Sequence, residues 1–276
     1  MSVMLHFYDA IRTASLLALA AAGGALTAQA DTACDLSDGY GEALVSYVQE
    51  VEACLESGGD FVTEVEAELA AQTNSTRSNA GLQPLMRRDT LDKAARAHAM
   101  DMAARDYAGH TDLEGRGHVY RMRAIDRTML TGATGANVVV MAADASSTEV
   151  FDMITSDPAN RENLTRDTFT DTGIGVARSG DTIYVVQMLT TVDGELDRPM
   201  PLSLAEATSF QPNIRQDMFR TAGWSLSDAA GRRLAGGSLM RVHADSLGAE
   251  SNAYLDVLVE LNADTYVLKG PIVSVQ

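Results

Sequence analysis

His110, Asp112, Glu114 and His118 fall within nine residues of one another, and Asp157, Asn160 and Glu162 form a second polar group further along the chain. Neutral imidazoles offer lone pairs and carboxylates supply charge. Brought together by a fold, such groups suit a divalent metal or acid–base chemistry on a polar ligand. Other catalytic signatures are missing from the sequence: it has no HExxH, no GxSxG and no phosphate-binding loop. Gly173-Ile174-Gly175 lacks the third glycine of a dinucleotide fingerprint, because Arg178 stands there. His110 with a serine such as Ser156 lacks an evident residue to orient the imidazole.

The elements that must position these groups can be read from periodicity. Leu44, Val48, Val51 and Leu55 recur at helical spacing. Asp60 is expected to cap a second helix with Phe61, Val65 and Leu69 on one face, ending around Asn74 before a loop. A third helix is expected from Asp89, with Leu91, Ala95, His98 and Met102 on one stripe and His98 as a core histidine. Ser146 or Ser147 should cap a further helix carrying Val150, Phe151 and Ile154, with Glu149 in its first turn and Asp157-Pro158 at its end. Ile174 to Leu189 reads as a hairpin turning at Ser179-Gly180. Beyond Thr191, residues 199–212 read as a connector, followed by strands over 218–226, 239–243, 253–261 and 265–275. Helices on a small antiparallel sheet make an α+β fold.

Four segments agree in order and spacing, and a fifth pattern ahead of them resembles an opening signature. The opening pattern is Asn74-x-x-Arg77 with Gly81-Leu82-x-Pro84-Leu85, and the four segments are GHTDLEGRG at 109–117, GAN at 135–137, DPANREN at 157–163 and TGIGVARSGDTIYVVQML at 172–189. Together they resemble the CAP, or SCP-type, domain of cysteine-rich secretory proteins, antigen 5 and pathogenesis-related 1 in its bacterial exported form. The resemblance implies a three-layer α-β-α sandwich over residues 60–192, preceded by a helical lead-in (31–58). A connector (193–213) and a small C-terminal β module (214–276) follow it. It also implies a cleft in which histidines at 110 and 160 and a glutamate at 136 hold a divalent cation. A second family glutamate lies in a Trp-containing helix, where Ile154 takes the Trp position.

Here His110 is kept, but 136 is Ala and 160 is Asn. The cleft is therefore expected to be lined by His110, Gly135, Ala136, Asn137, Asn160 and Arg161, without a metal, a cofactor or an assignable catalytic residue. Gly135 and Asn137 are expected to keep a turn, and Arg161 and Asn163 to hold a loop to the body. A shifted metal site through Asp112, Glu114 or His118 is the competing reading. The resemblance also has Asp112 and Gly115 serving the turn after the histidine.

Residues 13–30 carry no charge and end in Ala28-Gln29-Ala30, the shape of a cleavable export signal over residues 1–30. Its apolar run is too short and interrupted to span a bilayer, and no later segment is a spanning candidate. The expected location is therefore periplasmic or extracellular. There, Cys34 and Cys54 most simply form one disulfide, stabilising by about 3 kcal/mol in the chain-entropy model. The net charge is −17 and is unchanged when residues 1–30 are removed, since Asp9 and Arg12 leave together. That charge disfavours nucleic acid and anionic lipid as partners. The expected function is non-catalytic binding of a small apolar ligand or a cell-envelope protein. The alternative is an exported hydrolase or metal-dependent enzyme using His110 with non-standard acids.

Overall fold

The computed structural model describes residues 34–204, 207–244 and 251–275. The chain divides into two units, Met1–Asp31 and Thr32–Gln276, and the first, with the expected export signal, lies outside the described residues. The expected lead-in helix is α1 (Leu44–Glu56), which buries Leu44, Tyr47, Val48 and Val51 along one side. The Cys34–Cys54 disulfide ties its last turn to the segment before it.

The next helix, α2 (Thr63–Asn79), begins later and ends later than its apolar spacing suggests. Asp60 is not its cap. The Asp60 carbonyl accepts the Arg178 N–H at 2.8 Å and Phe61 bridges to Ala177, so the chain is held extended against a strand until Val62. At the far end the helix continues through Arg77, which is fully buried, and stops near Gly81 at a φ of 73°.

A short strand β1 (Met86–Arg87) leads into α3 (Asp89–Arg105), which starts where the sequence places it. Helix α4 (His118–Ile125) was not foreseen. Strand β2 (Met129–Ala142) contains Gly135-Ala136-Asn137 in its middle, so these residues sit in a strand and not in a turn. The β-branched run Val138-Val139-Val140 favours that extended backbone.

Helix α5 (Ser147–Ser156) is capped by Ser146, which completes a capping box with Glu149. Asp157 then does more than end α5. Its carboxylate accepts the Ala159 and Asn160 N–H groups and Pro158 occupies the first helical position, so 158–165 form helix α6 (Pro158–Thr165) where a loop was expected.

Strands β3 (Asp171–Ser179) and β4 (Thr182–Leu196) form the expected hairpin, with Gly180 at a φ of 56°. The remaining strands are β5 (Ala207–Ser209), β6 (Pro212–Ile214), β7 (Arg220–Ser227), β8 (Arg233–Gly237), β9 (Arg241–His243), β10 (Ser251–Leu261) and β11 (Asp264–Val275). β8 escaped the sequence reading, because Gly236-Gly237 interrupts any alternation.

The main sheet runs β1-β3-β4-β2-β11-β10-β7-β8, with β6 paired to the end of β4; β5 and β9 form a separate pair. Helices α1, α3 and α4 pack on one face through Leu91, Met102 and Met122 against Val186 and Met188. On the other face α2, α5 and α6 bury Leu69, Val150, Ile154 and Leu164 against Ile174, Val176 and Val185. The result is an α-β-α sandwich. Gly173 and Gly175 have an architectural task, since a Cβ at either would overlap the α3 backbone. They let the helix lie directly on β3.

The C-terminal strands continue the sheet from β2 through the Lys269–Thr131 pairing and share a second core around Leu130, Trp224, Leu255 and Val257. Arginines of α4 and the loop after it secure this junction. Arg123 donates to the Gly270 and Leu255 carbonyls and pairs with Asp256 at 2.9 Å, while Arg127 donates to the Met200 and Pro201 carbonyls.

Candidate functional site

Helix α3 sets the position of the His110 loop. His98 is buried and its Nε2 lies 2.8 Å from the Gly109 carbonyl, so Nε2 carries the proton and Nδ1 is left without a partner. Burial, followed by the charge of Arg121, pushes the His98 pKa down to about 3. The imidazole is thus a neutral clamp on the residue before His110. His110 itself is exposed, and its carbonyl accepts a 3.4 Å hydrogen bond from Arg121. Asp112 and Gly115 serve the turn that follows: Asp112 Oδ1 accepts the Arg116 N–H at 2.7 Å, and Gly115 has a φ of 83°.

Asp112 and Glu114 do converge with Asp101, their oxygens lying within 4.8 Å of one another. Those oxygens are already engaged. Arg105 pairs with Asp101 at 2.8 Å and with Glu114 at 2.5 Å, Arg116 pairs with Asp112 at 2.7 Å, and Tyr107 donates to Asp101 at 2.6 Å. Arg121 Nη2 stands 3.4 Å from Asp112 without an aligned hydrogen bond. Three carboxylates therefore face three guanidiniums. The hydrogen bond from Arg105 holds the Glu114 carboxyl below its usual range. A cation entering here would have to displace arginines of the same charge. Arg116 also stacks on Tyr47, 4.7 Å from the ring centroid, and donates to the Tyr40 and Gly41 carbonyls, so the cluster fastens the N-terminal lead-in to the sandwich.

His118 opens α4, with Nε2 3.3 Å from Thr134 Oγ1 on β2. Burial first, then the charges of His110, Arg121 and Lys269, push its pKa down to about 4. Ala136 lies two residues beyond Thr134 and pairs with Met188, whose side chain belongs to the α3–α4 face. Since side chains alternate along a strand, Ala136 and Thr134 share that face. Position 136 thus stands beside the hydroxyl that His118 touches, and it offers only a methyl group.

Asn137 points to the opposite face. Its Nδ2 donates to Gln187 at 3.1 Å, its Oδ1 accepts from Asn163 at 3.0 Å, and Gln187 reaches Thr73 on α2 at 3.0 Å. Gly135 makes room for Asn163, whose Oδ1 lies 2.8 Å from where a Cβ would stand. Asn160 is buried on α6 and its carbonyl lies 3.5 Å from Asn137 Nδ2. Arg161 is exposed and donates to the Thr155 and Ser156 carbonyls at the end of α5. Asn74 and Arg77 belong to the same framework. Asn74 bonds both backbone groups of Leu85, and Arg77 donates to the carbonyls of Gln83, Leu164, Arg166 and Phe169.

These residues do not fit a metal held in the family manner. Position 136 has no donor atom and 160 supplies a neutral amide. The surroundings of His118 are cationic, and the nearby carboxylates are paired with arginine. Thr134, Arg121 and Lys269 are the neighbours that sequence reasoning missed. Lys269 belongs to β11, remote in the chain, whereas the arginines at 116, 121 and 123 offered a signal in their close spacing.

A sandwich with this strand order, a histidine loop after α3 and a Gly-Ala-Asn strand facing an Asn-Arg-x-Asn helix defines a domain class, and sequence comparison agrees with it. Residues 70–189 match the model of CAP, the Cysteine-rich secretory protein family. Among solved structures, it is similar to an outer surface protein from Borrelia burgdorferi, with 17% identity and a TM-score of 0.42. That alignment covers 49% of this chain and 99% of the other. An extracellular SCP-domain protein from Bacillus anthracis aligns at 19% identity and a TM-score of 0.38, over 51% of this chain and 43% of its own. No curated protein matches the sequence.

Proposed function

We propose that this CAP-domain protein is exported and acts by binding, taking a small apolar ligand or a cell-envelope protein, without metal-dependent or hydrolytic chemistry. The observation that carries the reading is the methyl group of Ala136 beside the His118–Thr134 contact, where the family's carboxylate would stand. The arginine pairing of Asp101, Asp112 and Glu114 supports it, because it withdraws the acids that could replace the lost ones. Export is supported by the Cys34–Cys54 disulfide, since such bonds persist in oxidising compartments. Among the described residues no helix is long and apolar enough to cross a membrane.

A groove of about 480 Å³ between α1 and α3 combines an apolar wall of Val51, Leu55, Phe61 and Ile125 with the charged Glu52, Glu56, Lys93 and Arg96, so it would suit a ligand with both an apolar and a polar part. The test is organic extraction of the protein purified from its exporting host, followed by mass spectrometry, and crosslinking of the protein in place. A stoichiometric apolar molecule or a specific envelope partner is expected. Hydrolytic turnover that is lost in a folded His110→Ala variant would overturn the reading in favour of the enzyme alternative.

A further inference from the structure

Charge is distributed unevenly along the chain. Residues 34–76 contain ten carboxylates and no Lys or Arg, whereas residues 207–244 contain five arginines against two aspartates. The basic stretch carries a groove of about 1130 Å³ lined by β8, by the turn after it and by β9. Among the described residues no carboxylate lines it. β8 is the last strand of the main sheet and β9 is paired only with β5, so the groove lies between two strands that are not paired with each other.

Backbone is open to contact there. Gly236 and Gly237 present no side chains, and Leu239 is 81% exposed beside them. Trp224 forms part of the wall, its Nε1 donating to the Leu239 carbonyl at 2.5 Å. Two guanidiniums border the gap without a carboxylate partner among the described residues. Arg233 Nη2 lies against the position a Gly236 Cβ would take, and Arg241 donates only to Ser209 Oγ at 3.1 Å. Arg232, by contrast, is paired with Asp228 at 2.9 Å. A strand edge that is bare, apolar in the middle and cationic at its border has the features of strand addition, in which main-chain hydrogen bonds give affinity and side-chain chemistry gives selectivity.

We propose that this groove binds an extended acidic polypeptide segment of a partner protein, added as a strand along β8 and held by Arg233 and Arg241. The site is separate from the His110 surface, so its failure leaves the binding reading of the CAP domain untouched.

Trp224 is the only tryptophan in the chain, so its emission reports on the groove directly. The full exported chain is titrated with a ten-residue peptide alternating Glu and Val, flanked by serines for solubility. The control peptide alternates Lys and Val. The acidic peptide is expected to change Trp224 emission saturably at low salt, and to weaken at least tenfold in about 0.5 M NaCl, where the Debye length is a few ångströms. An Arg233→Glu, Arg241→Glu double variant, with circular dichroism and melting temperature unchanged, is expected to lose binding at least tenfold. Methylating alternate peptide nitrogens is expected to do the same. Equal binding of the lysine peptide, or of the N-methylated one, would overturn strand addition of an acidic segment. A Trp224 change that follows protein concentration alone, together with faster sedimentation, would identify a second copy of this chain as the occupant and overturn the proposal.

Discussion

The two faces of β2 have been treated differently. On one face Asn137 joins Gln187, Asn163 and Thr73 in a network of amides and a hydroxyl. On the other, Ala136 stands beside Thr134 and His118 and bonds through its backbone alone. Adjacent residues of one signature thus do different work: one is tied into the framework by hydrogen bonds, and the other offers only a methyl group. A buried hydrogen-bonded amide is costly to remove, because its partners are left unsatisfied. A carboxylate kept for a ligand can become a methyl group with little structural consequence.

The largest expected effect of breaking this contrast is at Arg77. Its four carbonyl partners tie α2 to the end of α6 and to the loop before β3, and all lose the guanidinium in Arg77→Ala. A loss of at least about 3 kcal/mol is expected in urea unfolding followed by circular dichroism. Reducing the Cys34–Cys54 bond should cost about 3 kcal/mol or less, read as a lower melting temperature under reductant. Asn137→Ala should cost about 1–3 kcal/mol, whereas Ala136→Ser on the other face should change stability by less than about 1 kcal/mol. If those two variants were equally damaging, the division between the faces would be wrong.

A pH titration sharpens the same comparison. His118, with its pKa pushed down to about 4, lies below the ordinary histidine value of about 6.5, so as pH falls the unfolded chain takes up the proton first. Its contribution is whole above pH about 6.5 and is lost as pH falls from there to about 4. The melting temperature of the wild type minus that of His118→Gln should therefore shrink over that window. The smallest effect is expected at Arg161. It is exposed and serves only the end of α5, so Arg161→Ala should stay within about 1 kcal/mol by thermal unfolding.

Much of the sandwich was legible because its signals are local. The α3 stripe, the Ser146–Glu149 capping box and the Gly180 hairpin each depend on neighbours within a few residues. What stayed hidden depends on distant partners. Asp60 has the chemistry of a helix cap, but the pairing of residues 60–62 with β3 overrides it. Gly-Ala-Asn has turn-forming composition, yet β4 pairs it residue for residue. At the site, the identities at 110, 136 and 160 could be read directly. The neutralisation of Glu114 could not, because it requires Arg105 from α3 to meet the loop in space, whereas Asp112 is paired with Arg116 within its own loop. Lys269 was equally invisible, since only the extension of the sheet brings β11 to His118.

The central claim is that the polar framework around Asn137 is intact while the residues around His118 offer no tight metal site. Calorimetric zinc titration of the chain without residues 1–30, beside an Ala136→Glu variant, tests it most directly. The account predicts that the unmodified protein shows no tight binding and that the Ala136→Glu variant, with one carboxylate restored on the face of His118, gains measurable zinc affinity. Tight stoichiometric binding by the unmodified protein, abolished in His110→Ala, would contradict it.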